Sequence, residues 1–334
     1  MKIVEISAEK FNDLAYSEPF GSIYQSSYWS DYIVSKKNKP LFIKYVDDSD
    51  LCLGLAMFIL RKESLLSSKL TAYCPCGYLI NFYDEEFLKE FDHKLGIFLS
   101  DYNVNKIVIE PKIIYEHSKL SNDKLISILN ELGYQKTKEI NNYVLDIKKY
   151  KNAKTRTNII LKTKNVDDDY SLFNSLINNK DNEEYLNIYT CIKPYASLYV
   201  THLDSVKTKR ALQEEIDDCT KFINKNRDDY KYIEDIREKL DEIEEVKQIL
   251  KYIDNLENAY GSDPVLAGVC MIDYSGTCNL AFEVNRDKMF NSENVIFNTV
   301  VEDNKAKKIK TIEAFTPFSD SNLYHLLGEF TRHI

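Results

Sequence analysis

The sequence predicts an α/β (α+β) chain: two mixed-sheet units, the second interrupted by an inserted antiparallel coiled-coil helical arm. Three observations lead there. Short apolar strand-like runs alternate with amphipathic helical runs over residues 1–150. A shortened form of the same alternation occupies residues 151–201 and 262–334. Between those two pieces, residues 202–261 are highly charged and carry apolar residues at steps of three, four and seven.

In the first unit, Met1–Ile6 reads as a strand and Ala8–Leu14 as a short helix. Ser27–Lys37 is an amphipathic helix with Tyr28, Trp29, Tyr32 and Ile33 near one face. Strands follow at Pro40–Val46 and Leu51–Arg61, joined by the polar turn Asp47-Asp48-Ser49-Asp50. Leu70–Cys74 is a further strand that leads into the loop Cys74-Pro75-Cys76-Gly77-Tyr78. Helices at Asp84–Tyr102 and Asp123–Leu132 flank a strand at Lys106–Glu110, and Asn142–Ile147 is the last strand. This order is acetyltransferase-like, a mixed sheet covered by helices.

The second unit opens with a basic helix expected over Lys154–Lys164 and helices at Tyr170–Leu176 and Glu183–Ile192. Ala196–His202 is a strand leading into the arm. The arm's seam is Val206, Leu212, Ile216, Cys219 and Ile223 on one helix. On the other it is Ile233, Ile236, Leu240, Ile243, Leu250 and Ile253, closed by Gly261 and Pro264. Arms of that length reach about 30–40 Å. Val265–Asp273 and Cys278–Val284 then pair around Ser275-Gly276. A helix at Asn294–Lys305, a strand at Ile309–Phe315 and a final helix at Leu323–Phe330 complete the unit.

Composition narrows the function classes. Apolar residues make up 44% of the 334, with 12% aromatic, enough for packed cores. No run approaches the length of a membrane span, and the opening Met-Lys-Ile-Val-Glu reads as a strand, so a cytoplasmic protein with no membrane span is expected. Seven cysteines at irregular spacing give no disulfide framework. The net charge of −9 argues against a surface that grips nucleic acid everywhere. The arm itself carries 16 Asp and Glu against 11 Lys and Arg, so it gains little from phosphate contacts.

Several segments, taken in order, resemble the FemABX family of tRNA-dependent aminoacyltransferases, specifically Fem members with a coiled-coil arm. Phe20-Gly21-Ser22-Ile23-Tyr24-Gln25-Ser26 is similar to the family's opening segment. Tyr73 to Asn81 stands where the family has a Tyr-x-x-Arg-Gly-Pro-x-x-Asp signature, and Ile107-Val108-Ile109-Glu110-Pro111 resembles its strand end before proline. Leu132-Gly133-Tyr134, the run Tyr143–Ile147, Thr155-Arg156-Thr157-Asn158 with Lys162 and Lys164, and Pro264–Gly268 follow in family order. The chain departs from the pattern at Cys76, Tyr78 and Asn81 of the signature, and at Leu326-Leu327, where the family has Phe-Lys.

The resemblance implies two GNAT-like domains, residues 1–150 and residues 151–201 with 262–334, and the arm at 202–261. It implies transfer of an amino acid from aminoacyl-tRNA to an amino group on the stem peptide of a UDP- or lipid-linked muropeptide. Aminolysis of an ester needs a proton acceptor and fixed charge near the carbonyl, and no metal or other cofactor. Glu110, at a strand end, is the expected base, with Asp84 replacing the carboxylate that Asn81 lacks. Lys36, Arg156 and Lys162 are the expected phosphate or substrate contacts, together with Tyr78 and Asn81 at their motif positions. The alternative is a catalytically degenerate Fem-like binding protein, or a partner in a homo- or heterodimer with a paralogue.

Overall fold

The computed structural model describes residues 1–18, 21–34, 38–62, 68–111, 119–140, 142–167, 170–177, 182–287, 289–314, 322–324 and 329–334. Two seven-stranded mixed sheets carry the architecture. The strands of the first half are β1 (Lys2–Glu5), β2 (Lys39–Val46), β3 (Cys52–Lys62), β4 (Leu70–Cys74), β5 (Val104–Ile109) and β6 (Gln135–Lys138). Helices α1 (Ala8–Ser17) and α2 (Ser27–Val34) lie on one side, α3 (Glu85–Ser100) and α4 (Lys119–Glu131) on the other. Then come β7 (Asn142–Asp146), β8 (Leu161–Asn165), α5 (Tyr170–Asn174), α6 (Asn182–Ile192) and β9 (Ala196–Leu203). The arm is α7 (Ser205–Asn226) and α8 (Ile233–Tyr260). It is followed by β10 (Val265–Tyr274), β11 (Thr277–Asn285), α9 (Ser292–Ala306), β12 (Thr311–Ala314), β13 (Asn322–Tyr324) and β14 (Glu329–His333).

The sheets exchange strands. The first runs β1-β2-β3-β4-β5-β14-β6 and the second β13-β7-β12-β11-β10-β9-β8. The last strand therefore returns to the first sheet, while β7 crosses into the second. The cause is an open ladder: without β14, neither β5 nor β6 would have a partner on their facing edges, and an unpaired edge next to a buried core is unfavourable. Phe330 pairs with Ile109 and is fully buried in the first core. Arg332, two residues on and on the same face, stacks its guanidinium 5.2 Å from the Tyr134 ring and pairs with buried Asp92.

This corrects the helix expected at Leu323–Phe330. Its apolar spacing is compatible with a helix, but ladder pairing of β13 with β7 and of β14 with β5 and β6 takes precedence. Residues 325–328, including Leu326 and Leu327, lie outside the described residues. The basic helix expected at Lys154–Lys164 is also absent. Its second half is β8, paired with β9 from Leu161–Leu203 to Asn165–Tyr199, because Leu161 and Thr163 alternate inward as a strand requires.

The arm is present as two helices of 22 and 28 residues, spanning about 33 and 42 Å. Its packing differs from the expected seam. Val206, Ile233 and Leu240 are exposed, whereas Val246, Ile249 and Leu256 are buried. At the root the helices also meet Ile159, Leu203, Leu266 and Phe290, so α8 buries a broader face there than two helices alone can cover. No helix among the described residues is long and apolar enough to cross a membrane.

Candidate active site

Between the sheets opens a cleft of about 550 Å³. Its floor comes from the first unit: Tyr73 at the end of β4, Cys76 in the following loop, and Glu110 directly after β5. Lys138 and Glu139 at the end of β6 form one wall. Tyr24 and Trp29 form another, and Ala281 of β11 closes it from the second sheet. β4 and β5 run parallel, with Cys74 beside Ile109, so the cleft lies off the carboxyl ends of adjacent parallel strands, where α/β sheets place ligands.

Local sequence fixes this floor. Gln25, fully buried in the short turn Ile23–Gln25, donates to the carbonyls of Met57 at 3.1 Å and Pro75 at 2.6 Å. Its own carbonyl oxygen accepts from the Met57 N–H at 2.7 Å. One side chain thus ties β3 to the loop after β4. Cys76 and Gly77 both take left-handed backbone angles, φ 55° and 72°. A Cβ on Gly77 would come 2.9 Å from the Pro111 Cα and 3.0 Å from the Phe82 ring, so only glycine fits that turn. The turn aims the Cys76 N–H at the Glu110 carboxylate.

Of Glu110 and Glu139, which both line the cleft, Glu110 is the more withdrawn from water, Glu139 being exposed. The Glu110 Oε1 accepts from the Tyr73 hydroxyl at 2.7 Å. Burial raises its pKa above the ordinary 4.5, with Glu329 adding to the rise, while Tyr73, the Cys76 N–H and Lys138 oppose it. A carboxylate so placed holds a proton more readily than a solvated one, which suits a general base that later returns the proton. Burial and the Glu110 charge push the Tyr73 hydroxyl up, so it remains a donor. The Arg61 guanidinium covers the Tyr73 ring at 4.2 Å. Tyr24 is likewise pushed up, first by burial and then by the charges of Cys76, Glu313, Cys270 and Glu110.

Of the residues to which the sequence assigned a catalytic or substrate-binding role, Glu110 alone among the described ones lines this cleft. Asp84 is exposed and caps α3, its Oδ1 accepting from the Phe87 N–H at 3.2 Å. Asn81 is also exposed, its carbonyl oxygen accepting from the Tyr83 N–H at 3.1 Å. Tyr78 is buried in the first core, where its hydroxyl meets that of Tyr134 at 2.9 Å. Arg156 pairs with Glu215 of α7 and, at 2.6 Å, with Glu245 of α8, so it clasps the arm. Lys162 pairs with Asp204 at 2.6 Å at the arm's root. Lys36 lies outside the described residues. Phe282 packs against Tyr185 and Phe173 and leaves the cleft open.

Sequence reasoning named Tyr73 and Cys76 as signature positions without giving them a role, and missed Lys138 and Glu139 altogether. Lys138 was hidden because β6, four exposed polar residues, has no apolar alternation to reveal a strand. The available signal was Gly133-Tyr134, which ends α4 at φ 86° and reverses the chain toward the cleft.

Neither a family model nor a curated protein matches this sequence. Solved structures do. One described as FemX aligns over 100% of this chain and 98% of its own, with a TM-score of 0.69 and 13% identity. The fold is that of FemX. A tandem GNAT protein from the clavulanic acid biosynthesis pathway covers 99% of this chain and 98% of its own, at a TM-score of 0.49 and 8% identity. At such identities the FemX likeness is one of fold, and function rests on the cleft's own chemistry.

Proposed function

We propose that this protein transfers an aminoacyl group from aminoacyl-tRNA to an amino group of a UDP- or lipid-linked muropeptide in the cytoplasm. The observation that carries the reading is Glu110, a half-withdrawn carboxylate held by Tyr73 at the end of a parallel strand pair, in a cleft with a FemX-like frame. The amine attacks the ester carbonyl and a C–N bond forms. Glu110 takes the proton released by the nitrogen. The tetrahedral oxyanion then collapses, the C–O bond to the ribose breaks, and Glu110 returns a proton to the leaving hydroxyl. Lys138, on the cleft wall, supplies positive charge for the developing oxyanion. The reaction is redox-neutral and needs no cofactor. Asp84 and Asn81, being exposed and engaged in local caps, take no part in this scheme.

A second reading is supported by Arg156. The guanidinium expected to meet a substrate phosphate is occupied by carboxylates from both arm helices. That favours a Fem-like binding protein acting beside an intact paralogue. The two readings separate in one assay: transfer of a radiolabelled amino acid from a charged tRNA pool to UDP-linked and lipid-linked muropeptides. Label appearing in the muropeptide supports the enzyme; muropeptide binding without transfer supports the second reading.

A further inference from the structure

Glu313 on β12 is a carboxylate that the scheme above does not use. It is only 7% exposed, and among the described residues its side chain has neither a hydrogen bond nor an ion pair. Its strand neighbours Ile312 and Ala314 sit in the core beneath α9. Alternation along the strand therefore turns Glu313 to the opposite face of the sheet, toward the first unit. Register places Asn279 of β11 and Val144 of β7 beside it. Asn279 is two residues before the cleft-lining Ala281 on the same strand.

A further observation connects this face to the cleft. Among the described residues β11 and β12 pair in parallel at Cys278–Ile312 and Asn279–Glu313. Tyr24, which lines the cleft, feels the charges of both Glu313 and Glu110, so both carboxylates act on one cleft-wall side chain. A carboxylate withdrawn from water without a partner is unfavourable unless something else supplies the counter-charge. An anionic group would be repelled here, and a positive one would be held, with the aromatic wall of Tyr24 and Trp29 as a favourable surface for it.

We propose that Glu313, with Tyr24, forms a subsite for a primary ammonium group carried by one of the two reactants. The inference rests on the transfer reading for the identity of those reactants, and the same chemistry occurs in both. The α-ammonium of the aminoacyl donor lies beside an ester, whereas the acceptor amine does not.

The test is calorimetric binding of three probes to the full chain: L-alanine methyl ester, N-acetyl-L-alanine methyl ester, and Nα-acetyl-L-lysine amide. Wild type is expected to bind at least one amine-bearing probe ten times more tightly than the N-acetyl ester. Glu313→Gln should erase that preference and leave N-acetyl ester binding unchanged. Loss on the alanine ester assigns the subsite to the donor, and loss on the lysine amide assigns it to the acceptor. Because glutamine keeps the shape and removes an unpartnered charge, the variant should melt at the wild-type temperature or above. Equal binding of all probes by wild type and variant overturns the proposal, as does a fall of several degrees in melting temperature. Binding needs no turnover, so a wild type that shows the preference but never transfers removes the transfer reading alone. A wild type that transfers, with Glu313→Gln unchanged in every respect, removes the subsite alone.

Discussion

Replacing Arg332 by methionine tests how the exchanged C-terminal strand is held. Arg332 pairs with Asp92, whose side chain is 1% exposed against 16% for Arg332. The Tyr134 hydroxyl donates to the other carboxylate oxygen at 2.7 Å. Methionine keeps the apolar stem but leaves Asp92 with that single donor. Stranding one member of a buried pair costs about 3–5 kcal/mol, and the remaining Tyr134 bond puts the loss near about 3 kcal/mol. Loss of the guanidinium contact with the Tyr134 ring adds about 0.5–1 kcal/mol. Against a total stability of about 5–15 kcal/mol, this is readily measured by urea unfolding with linear extrapolation. The pH dependence has a definite sign. Burial already raises the folded pKa of Asp92 above its ordinary 3.8 despite Arg332, and removal of the cation raises it further. The folded state then binds the extra proton, so the deficit is full at neutral pH and shrinks as pH falls through the raised value. Asp92→Asn in the Arg332→Met background should recover part of the loss at pH 7. A deficit under about 1 kcal/mol, or one insensitive to both pH and Asp92→Asn, would refute the reasoning.

Leu212→Ala at the arm's root should cost about 2–5 kcal/mol by denaturant unfolding, while Leu240→Ala, more than half exposed, should cost under about 0.5 kcal/mol. The Asp204 carboxyl is held at about 2 by Lys162 and the Lys207 N–H, below its ordinary 3.8. Its contribution is therefore present above 3.8 and lost as pH falls through about 2, and Lys162→Met should flatten that acid limb in melting curves. Gly77→Ala forces a Cβ against Pro111 at φ 72°, and a loss of about 1–3 kcal/mol is expected, with amide shifts around Glu110 in NMR spectra.

Much of the frame was legible because local chemistry and tertiary packing agree. The expected spans for β2, β3, β4, β9, β10 and β11 lie within a few residues of the observed strands, since their apolar runs are long enough to be buried on both faces. Asp84 marks the start of α3 as a cap, which the sequence shows, although the same residue was expected at the site. The strand exchange was not legible. Nothing local in Glu329–His333 says that its partners are residues 104–109 and 135–138, because that pairing is decided by which sheet has an open ladder. The site divides in the same way. Glu110 was visible as a carboxylate at a strand end, a position with a topological meaning. Arg156 and Lys162 were visible only as charges, and carboxylates of the arm and its root, far away in sequence, take up both. Charge type is local, but which partner satisfies it is set by the fold.

In the proposed transfer Glu110 is the proton acceptor, and single-turnover transfer measures that role most directly. With charged tRNA and a muropeptide in excess, Glu110→Gln should retain the fold and the affinity for both substrates and slow transfer by about 10²–10⁴-fold. The wild-type rate should rise with pH through the raised Glu110 pKa and level above it. A Glu110→Gln variant that transfers at the wild-type rate, with the same pH profile, would contradict the account.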